Sequence, residues 1–201
     1  MNFSTIINFI FPPSYDEKTL KACSDKKFLD YYQPQTINNV ITLLPFTEPS
    51  VKAAIHLTKW HAKSRAIKLL GMILAKNLAG YEKETVIIPI PLSKKRFHER
   101  GYNQVDLIIK SALEQGLELD YQKNILSRCK NTKPQTSLKR SDRTQNIIGA
   151  FSCSSTKGQY LTGRSVIIID DVMTTGSTLK EAEASLLPHH PSSITTLALA
   201  H

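Results

Sequence analysis

The sequence predicts an α/β fold in which a mostly parallel central sheet is flanked by helices on both faces. Three apolar runs of strand length, at residues 86–90, 166–170 and 194–200, alternate with segments whose apolar residues recur at helical spacing. Strands and helices that alternate in this way are typical of parallel sheets. Because such sheets bind ligands at the carboxyl ends of their strands, we expect the functional residues directly after Ile90 and Ile169.

The N-terminal half of the chain is predicted to contain one long helix. The first 45 or so residues carry turn signals and read as irregular. Residues 49–80 then show apolar positions at helical spacing, with Ser50 as a candidate N-cap and Gly80 as a candidate C-cap. A break in this helix is expected near His61.

The C-terminal half supplies the sheet and two further helices. The stretch QVDLIIKSALEQG, which follows the first strand, is amphipathic and predicts a helix. Residues 125–151 are polar and basic and are predicted to end in a strand. After the second strong strand, a helix is predicted to begin at Ser177 or Thr178 and to end near Leu187, before the last strand closes the chain.

The basic charge of the chain lies in its middle. The net charge is +9, and 19 of the 26 Lys and Arg residues fall within residues 49–143. Phosphates, in small molecules or in nucleic acids, are the natural partners of such a region. Solvated helix faces would carry the same charge, so composition alone leaves both interpretations open.

Length, apolar runs and cysteines exclude several classes of protein. At 201 residues the chain predicts one domain, or one domain with a small appendage. No apolar run approaches the ~20 residues of a membrane span, and the apolar N-terminus lacks a positive region and a cleavage site, so we expect no membrane insertion and a cytoplasmic location. The three cysteines are far apart and never form CxxC, which argues against a disulfide framework and a zinc site.

The stretch VIIIDDVMTTGST, residues 166–178, carries the strongest chemical signal in the sequence. A strand that leads through a glycine-containing turn into a helix makes a cup of backbone N–H groups, which binds phosphate with the help of the helix dipole. The glycine lets the backbone approach closely, and hydroxyl groups surround it. The residues of this predicted 5-phosphate site are Thr174, Thr175, Gly176, Ser177 and Thr178.

Asp170 and Asp171 precede this turn and suit a different chemistry. Carboxylates repel a phosphate, but they accept hydrogen bonds from a vicinal diol and can hold a hydrated Mg²⁺. A phosphate-binding turn next to carboxylates that bind a diol would together suit a ribose 5-phosphate. The competing interpretation is an ordinary βα turn with good N-cap residues, which the full thirteen-residue pattern disfavours.

The same stretch resembles the phosphoribosyl pyrophosphate (PRPP) signature of type I phosphoribosyltransferases. Three further segments, IHLTKW, IPIPLSKKRFHERGYNQ and RCKNTKPQTSLKRSDRTQNIIGAF, resemble segments of the ComF family, the competence-associated phosphoribosyltransferase-like proteins. The resemblance runs from about Pro45 to the C-terminus. It implies a type I phosphoribosyltransferase fold, with residues 49–201 as the phosphoribosyltransferase-like domain and residues 1–48 as a small N-terminal arm or hood.

The N-terminus departs from the family pattern. Many members open with F-P-P-x-C-x-x-C, half of a zinc finger, whereas FPPSYDEK keeps the prolines and lacks the cysteines. Cys23 alone cannot supply the four ligands of a structural zinc site, so no zinc is expected. Residues 1–48 are therefore interpreted as a degenerate zinc-finger region.

The resemblance also implies roles for basic residues in the middle of the chain. The turn after the first strand would hold pyrophosphate through backbone N–H groups and cations. Its residues are Pro91, Leu92, Ser93, Lys94, Lys95, Arg96 and Arg100. A solvated turn is the alternative for Lys94, Lys95 and Arg96. Lys59 is a further candidate for the phosphate site, and Trp60 beside it is interpreted as hood packing.

Residues 132–146 are predicted to form a mobile loop, because they are polar, basic and without apolar periodicity. Such a loop can close over the transition state and exclude water. Gln135, Arg140 and Arg143 match the family best, and Arg140 joins Asp170 and Asp171 as a candidate catalytic residue. An ordinary exposed basic loop is the alternative.

The activity that the resemblance implies is a phosphoribosyltransferase that binds PRPP with Mg²⁺ and transfers the phosphoribosyl group to a nitrogen nucleophile, releasing pyrophosphate. Two alternatives stay open. One is a non-catalytic PRPP or nucleotide sensor, or a single-stranded-DNA-binding factor of the competence machinery, as the family's link to DNA uptake suggests. The other is a purine or pyrimidine salvage enzyme. The acceptor is not identified, and the oligomeric state, a homodimer included, is left open.

Overall fold

The computed structural model describes residues 14–129 and 149–201, and its centre is a six-stranded sheet. The helices are α1 (Tyr15–Ala22), α2 (Asp25–Asp30), α3 (Pro49–His61), α4 (Ser64–Leu78), α5 (Lys94–Arg100), α6 (Gln104–Leu113), α7 (Ser155–Gly158) and α8 (Ser177–Leu186). The strands are β1 (Gln35–Ile37), β2 (Val40–Leu44), β3 (Val86–Pro89), β4 (Asp120–Tyr121), β5 (Leu126–Arg128), β6 (Phe151–Cys153), β7 (Ser165–Val172) and β8 (Ser193–Ala200). Short 3-10 helices, Gln159–Leu161 and Leu187–His189, follow α7 and α8.

The sheet is the parallel α/β core that the sequence predicts. Its strand order is β1-β2-β8-β7-β3-β4, and every neighbouring pair except β1 with β2 is parallel. Strand β7 lies between β8 and β3, and Ile167, Ile168 and Ile169 are almost completely buried. A central parallel strand is covered on both faces, which is why it reads as a continuous apolar run.

Side chains of β7 alternate between two hydrophobic clusters, one on each face of the sheet. Ile167 and Ile169 share a cluster with α3, α4 and α6, whereas Val166 and Ile168 share one with α8 and the β5–β6 pair. We call these the α4 face and the α8 face. Because successive strand residues point to opposite faces, the two aspartates that follow the apolar run also separate.

The N-terminal region is regular structure from residue 14 onward, so the prediction of an irregular region is wrong for residues 14–45. Helix α1 begins with a capping box between Ser14 and Glu17, and Ser24 caps α2. Strand β2 pairs in parallel with β8, Val40 lying opposite Thr196, and so belongs to the central sheet. The division of the chain at residue 48 stays a prediction, and residues 1–13 lie outside the described part.

The predicted long helix is two helices, α3 and α4. Helix α3 has Glu48 rather than Ser50 as its N-cap. The expected break lies at Ala62, whose φ of 45° is left-handed. Left-handed backbone is costly for alanine, and Tyr102 holds it in place. The Tyr102 hydroxyl accepts a hydrogen bond from the Ala62 N–H at 3.0 Å and donates one to the Thr58 carbonyl at 3.0 Å.

The remaining predicted elements are present, with small shifts at their ends. Helix α4 ends with Ala79 rather than Gly80 as its C-cap. Helix α6 matches the amphipathic stretch, and α8 begins at Ser177, as predicted. Residues 151–153 form β6, antiparallel to β5. Within residues 14–129 and 149–201, no helix combines the length and the apolar character that a membrane crossing requires.

Candidate functional site

The carboxyl ends of β3 and β7 bring the two predicted functional segments to one edge of the sheet. The strands are neighbours in parallel register, and the Ile90 N–H donates a hydrogen bond to the Ile169 carbonyl at 2.8 Å. Residues 91–96 continue from β3 at this edge, and residues 170–178 continue from the apolar part of β7. The segments predicted to bind a ligand therefore lie side by side.

The turn after β7 is built around Gly176. Its φ of 78° is left-handed, and it is the N-cap of α8. A Cβ there would meet Met173 and Val40 only at an ordinary 3.5 Å, so the backbone conformation, not the available space, requires glycine. The Thr175 and Ser177 hydroxyls are 2.8 Å apart. Glycine offers no capping side chain, so the N–H groups at the start of α8 face a turn rich in hydroxyls, which suits a phosphate.

Asp171 is held by three groups on the α4 face. Its exposed fraction is 6%, and its Oδ2 accepts a hydrogen bond from Gln104 Nε2 at 2.8 Å and lies 3.2 Å from Lys59 Nζ. Its Oδ1 accepts from the Val172 N–H at 2.8 Å. Burial alone would raise the pKa of Asp171, but Lys59, Gln104 and the backbone together hold it below its ordinary value. Asp171 is therefore a fixed, ionised carboxylate.

Asp170 lies in a different environment. Its Oδ1 accepts a hydrogen bond from the Asp171 N–H at 2.8 Å, and it lines the same narrow depression as all five predicted phosphate-binding residues, 174–178. Burial and the neighbouring Asp171 carboxylate raise the pKa of Asp170 to about 7. The hydrogen bond from the Asp171 N–H, and then the charges of Lys59 and Arg128, oppose this rise only in part. Asp170 can therefore hold or release a proton near neutral pH, and a bound cation would favour its charged form.

Arg100 and Gln104 form a chain of contacts to Asp171 that sequence reasoning missed. Arg100 Nη1 donates to Gln104 Oε1 at 2.8 Å. The Arg100 guanidinium also lies 4.5 Å from the ring centre of Trp60, which is 57% exposed, so the interpretation of Trp60 as hood packing is wrong. Gly101, with a φ of 78°, ends α5 and turns the chain so that Arg100 meets Gln104. The RGYNQ segment, which contains both Arg100 and Gln104, was the signal in the sequence for these contacts. A contact between Arg100 and pyrophosphate stays a prediction.

Asn103 fixes the segment that follows β3. Its Nδ2 donates to the Ile90 carbonyl at 3.0 Å, and its Oδ1 accepts from the Val105 N–H at 3.1 Å at the start of α6. The residue is buried, so both bonds are shielded from water. One side chain thus ties the end of β3 to α6 and sets where residues 91–96 can lie.

Basic side chains occupy the first turn of α5, inside the predicted pyrophosphate segment. Ser93 caps this helix by accepting a hydrogen bond from the Arg96 N–H at 3.3 Å. Lys94 and Lys95 are exposed, and the turn contains no acidic residue. Cations at a helix N-terminus oppose the helix dipole, so an anion bound there would relieve an unfavourable arrangement. Pyrophosphate binding by residues 91–96 stays a prediction.

The predicted mobile loop lies outside the described residues, and so do Gln135, Arg140 and Arg143. The described chain stops at Cys129 and resumes at Gly149, directly beside the antiparallel pair β5–β6. The Cys129 N–H donates to the Ala150 carbonyl at 2.8 Å, so the two flanks of the segment lie together. Arg128, at the end of β5, interacts electrostatically with Asp170. Both flanks therefore lie on the α8 face.

The described residues offer carboxylates, rather than a cluster of protein ligands, to a magnesium ion. In residues 14–129 and 149–201, no group of three or more His, Cys, Asp or Glu side chains could hold a metal ion. Mg²⁺ usually takes one or two carboxylates together with waters and substrate phosphates. Asp170 fits this chemistry, because its raised pKa reflects an unfavourable burial of charge that a cation would relieve. The described cysteines are free: Cys23 is buried, Cys153 half-buried and Cys129 exposed.

A family model described as phosphoribosyl transferase domain matches residues 63–201. The match covers both segments at the edge of the sheet, β3 and β7 with their following turns, and it agrees with the mostly parallel sheet flanked by helices. Lys59, in α3, precedes the matched residues.

Competence and DNA utilization proteins of several bacteria are similar to the chain. It is 44% identical over 107 residues to Competence protein F of Haemophilus influenzae, which covers 53% of this chain and 46% of that protein. It is 29% identical over 161 residues to DNA utilization protein YhgH of Escherichia coli, which covers 77% of this chain and 68% of that protein. The chain thus spans about half to two thirds of the length of these relatives.

Solved structures with a similar chain path include a Trypanosoma cruzi hypoxanthine phosphoribosyl transferase. The identity is 14%, the TM-score is 0.40, and the match covers 72% of this chain and 64% of that one.

Proposed function

The chain is a ComF-type member of the phosphoribosyl transferase domain family, and we propose that it binds PRPP together with Mg²⁺ at the carboxyl edge of the sheet. The observation that carries this proposal is the pair of aspartates at the end of β7. Asp171 is ionised and held in place, whereas Asp170 has a pKa of about 7, and both residues precede the turn at Gly176. This order of groups suits a sugar that carries hydroxyls beside a phosphate.

Each part of PRPP has a chemical counterpart at this edge. Residues 174–178 take the 5-phosphate with backbone N–H groups and hydroxyls. Asp170 and Asp171 take the ribose hydroxyls, and Asp170 would help to hold the Mg²⁺, which would supply positive charge beside the pyrophosphate. Residues 91–96 take the pyrophosphate with backbone N–H groups and the cations of α5. Lys59 acts through Asp171, whose charge it fixes at 3.2 Å.

The proposed reaction is a substitution at the anomeric carbon of the ribose, in the cytoplasm. A nitrogen nucleophile forms a C–N bond with this carbon, the C–O bond to pyrophosphate breaks, and pyrophosphate leaves with the bonding electron pair. The protein supplies position and electrostatic stabilisation rather than a covalent nucleophile. Arg140, with Gln135 and Arg143, covers the reacting atoms in this proposal and keeps water out.

Calorimetric titration of the purified chain with PRPP and Mg²⁺ tests the site, with ribose 5-phosphate as the partial ligand. We expect saturable binding that requires Mg²⁺ and weakens at least about tenfold in Asp171→Asn, because a charge-assisted contact is lost. Asp30→Asn, an exposed aspartate at the end of α2, serves as the control and should bind like the unmodified chain. Unchanged affinity in Asp171→Asn would contradict the site assignment. Release of pyrophosphate with candidate nucleobases then separates an enzyme from a sensor.

Binding of single-stranded DNA is the second candidate function. The names of the relatives, a competence protein and a DNA utilization protein, favour it, and so do the basic residues concentrated in residues 49–143. Cations that follow a phosphate backbone give affinities that fall steeply with salt. Charge reversal at Lys130, Lys133 and Lys139 should then abolish binding of an oligodeoxynucleotide at low salt. No binding of the oligodeoxynucleotide at low salt would rule this function out, and binding that survives the charge reversal or is insensitive to salt would contradict DNA contact through these lysines.

A further inference from the structure

Trp60 lies at the C-terminal end of α3 with most of its surface exposed. It is the only tryptophan in the chain, and 57% of it is accessible to solvent. The Arg100 guanidinium lies over one face of the ring, 4.5 Å from its centre, and no aromatic ring of residues 14–129 and 149–201 stacks on the indole. Tryptophans of soluble domains are on average highly buried. An indole face is therefore open to a ligand.

The chain holds Trp60 and Arg100 together at a conformational cost. Left-handed backbone follows each of them, at Ala62 with a φ of 45° and at Gly101 with a φ of 78°. This conformation is unfavourable for alanine, and the Tyr102 hydroxyl holds it by accepting a hydrogen bond from the Ala62 N–H at 3.0 Å. An exposed indole beside strained backbone adds little to stability, and such costs concentrate at functional sites. The arrangement therefore indicates a function for the indole.

Two chains of contacts connect Trp60 to the proposed ribose site. Lys59, the residue before Trp60, places its Nζ 3.2 Å from Asp171 Oδ2. Arg100 Nη1 donates to Gln104 Oε1 at 2.8 Å, and Gln104 Nε2 donates to Asp171 Oδ2 at 2.8 Å. Trp60 is thus separated from Asp171 by Lys59 alone on one route, and by two side chains on the other. A group joined to the ribose near Asp171 is therefore within reach of the indole.

The proposed reaction attaches its acceptor to the carbon next to the ribose hydroxyls. The anomeric carbon is bonded to the carbon that carries the 2-hydroxyl, so a ring joined there begins next to Asp171. Flat heteroaromatic rings stack on an aromatic face, and this stacking tolerates different bases because every base has a π face. Arg100 supports the indole from the opposite face, since a planar guanidinium stacks well on an aromatic ring. An aliphatic amine would gain nothing from such a surface.

We propose that Trp60, supported by Arg100, is the surface on which a heteroaromatic nitrogen acceptor stacks, and that it selects flat, nucleobase-like acceptors over aliphatic amines. This inference rests on the proposed function, because Asp171 must hold the ribose for the acceptor to meet the indole. The product of the reaction would then be a nucleoside 5′-monophosphate whose base lies on Trp60.

Fluorescence titration of the full chain in the presence of Mg²⁺ tests the stacking, because Trp60 is its only source of indole emission. The probes are AMP, GMP, CMP and UMP, and ribose 5-phosphate is the matched ligand without a base. We expect the nucleotides to quench the emission and to bind about tenfold more tightly than ribose 5-phosphate, because stacking adds to their binding free energy. Ribose 5-phosphate, followed by calorimetry, should bind without quenching the emission.

Variants separate stacking from a structural role of Trp60. In Trp60→Leu, calorimetry should show that the nucleotides lose their advantage over ribose 5-phosphate, whereas Trp60→Phe should keep most of it because an aromatic ring remains. A merely structural role would weaken the binding of both ligands alike. Tyr160→Leu removes a different exposed ring, which contacts Asp120 at the start of β4, and should leave the ratio of the two affinities unchanged.

Three outcomes would overturn the inference, and they differ in what they say about the PRPP site. If the nucleotides bind no more tightly than ribose 5-phosphate, and Asp171→Asn weakens both, Trp60 has no part in acceptor binding while the ribose site stands. If neither ribose 5-phosphate nor PRPP binds, the proposed function fails and this inference fails with it. If an oligodeoxynucleotide quenches the emission and no mononucleotide does, Trp60 belongs to a DNA surface instead.

Discussion

Two adjacent carboxylates lie on opposite faces of the sheet, and their environments shift their pKa values in opposite directions. On the α4 face, Asp171 is held by Lys59 at 3.2 Å, by Gln104 at 2.8 Å and by a backbone N–H at 2.8 Å. On the α8 face, Asp170 Oδ1 accepts a hydrogen bond from the Asp171 N–H at 2.8 Å, and the charges of Lys59 and Arg128 stabilise its ionised form only in part. Side chains one residue apart thus differ because a strand alternates its faces.

The difference separates a carboxylate whose charge is fixed before any ligand binds from one whose charge depends on what binds. A buried carboxylate with a complete set of partners stays ionised and holds its position. A buried carboxylate beside a like charge costs stability when it ionises, and a cation or a sugar hydroxyl would relieve that cost. The protein therefore keeps Asp171 fixed through α3 and α6 and leaves Asp170 to respond to what binds.

Replacing Asp171 should have the largest effect on stability. Asp171→Asn leaves the Lys59 charge without its partner, and we expect a loss of about 2–3 kcal/mol in the free energy of unfolding, measured in urea. Breaking a fully buried pair costs about 3–5 kcal/mol, and the loss here is smaller because the Lys59 side chain is 24% exposed. The double variant Lys59→Met with Asp171→Asn should recover part of the loss. A single variant within 0.5 kcal/mol of the native chain, roughly the range of neutral surface changes, would contradict the fixed-charge assignment.

Replacing Asp170 should change stability in the opposite direction. The folded pKa of about 7 lies above the ordinary 3.8, so the folded state binds a proton that the unfolded state releases, and native stability falls as pH rises from about 4 to 7. Asp170→Asn removes this fall and should be more stable than the native chain by about 2 kcal/mol at pH 8, with little difference at pH 4. Thermal unfolding of both chains between pH 4 and pH 8 measures this difference in stability. Added Mg²⁺ should stabilise the native chain and not the variant. If Asp170→Asn is less stable than the native chain at pH 8, the proposed difference between Asp170 and Asp171 is wrong.

Replacing Gln104, which links Arg100 to Asp171, should have a moderate effect on stability. Gln104→Leu removes the hydrogen bond to Asp171 and the acceptor for Arg100, so we expect a loss of about 1.5 kcal/mol and weaker PRPP binding. Gln115→Leu, which loses only a 3.3 Å bond to the Ser111 carbonyl, is the matched control. Urea unfolding and calorimetry of both variants measure the difference. Equal losses in the two variants would show that Gln104 has no special part in holding Asp171.

The smallest expected effect concerns the turn on the α8 face. Gly176→Ala forces an alanine into a φ of 78°, which should cost about 1 kcal/mol, while the added Cβ meets nothing closer than 3.5 Å. Gly80→Ala is the control, because nothing lies within 4 Å of its Cβ and its φ is not left-handed. If both substitutions have the same effect on the urea midpoint, the turn does not depend on glycine.

Local patterns in the sequence predicted the frame of the site. The apolar run before Asp170 predicted a central strand, and TTGST predicted a turn at a helix N-terminus, because both features depend on neighbouring residues. Gly176 was identifiable for the same reason. The parallel order of strands followed from their alternation with helices.

Contacts between distant parts of the chain could not be predicted in this way. Gln104 and Asp171 are 67 residues apart, and their hydrogen bond forms only once α6 packs beside β7. Strand β1 has three residues, none of them buried, so it carries no apolar pattern. The exposure of Trp60 depends on what surrounds the end of α3, which no local pattern encodes.

The most direct test is a measurement of the two carboxylate pKa values by carbon-13 NMR of the Asp170 and Asp171 side chains, first alone and then with Mg²⁺ and PRPP. We expect that Asp171 titrates below its ordinary 3.8, that Asp170 titrates near 7, and that the ligands lower the pKa of Asp170 while leaving Asp171 ionised. Two carboxylates that titrate together near 4, or an Asp170 that does not respond to Mg²⁺ and PRPP, would contradict this expectation.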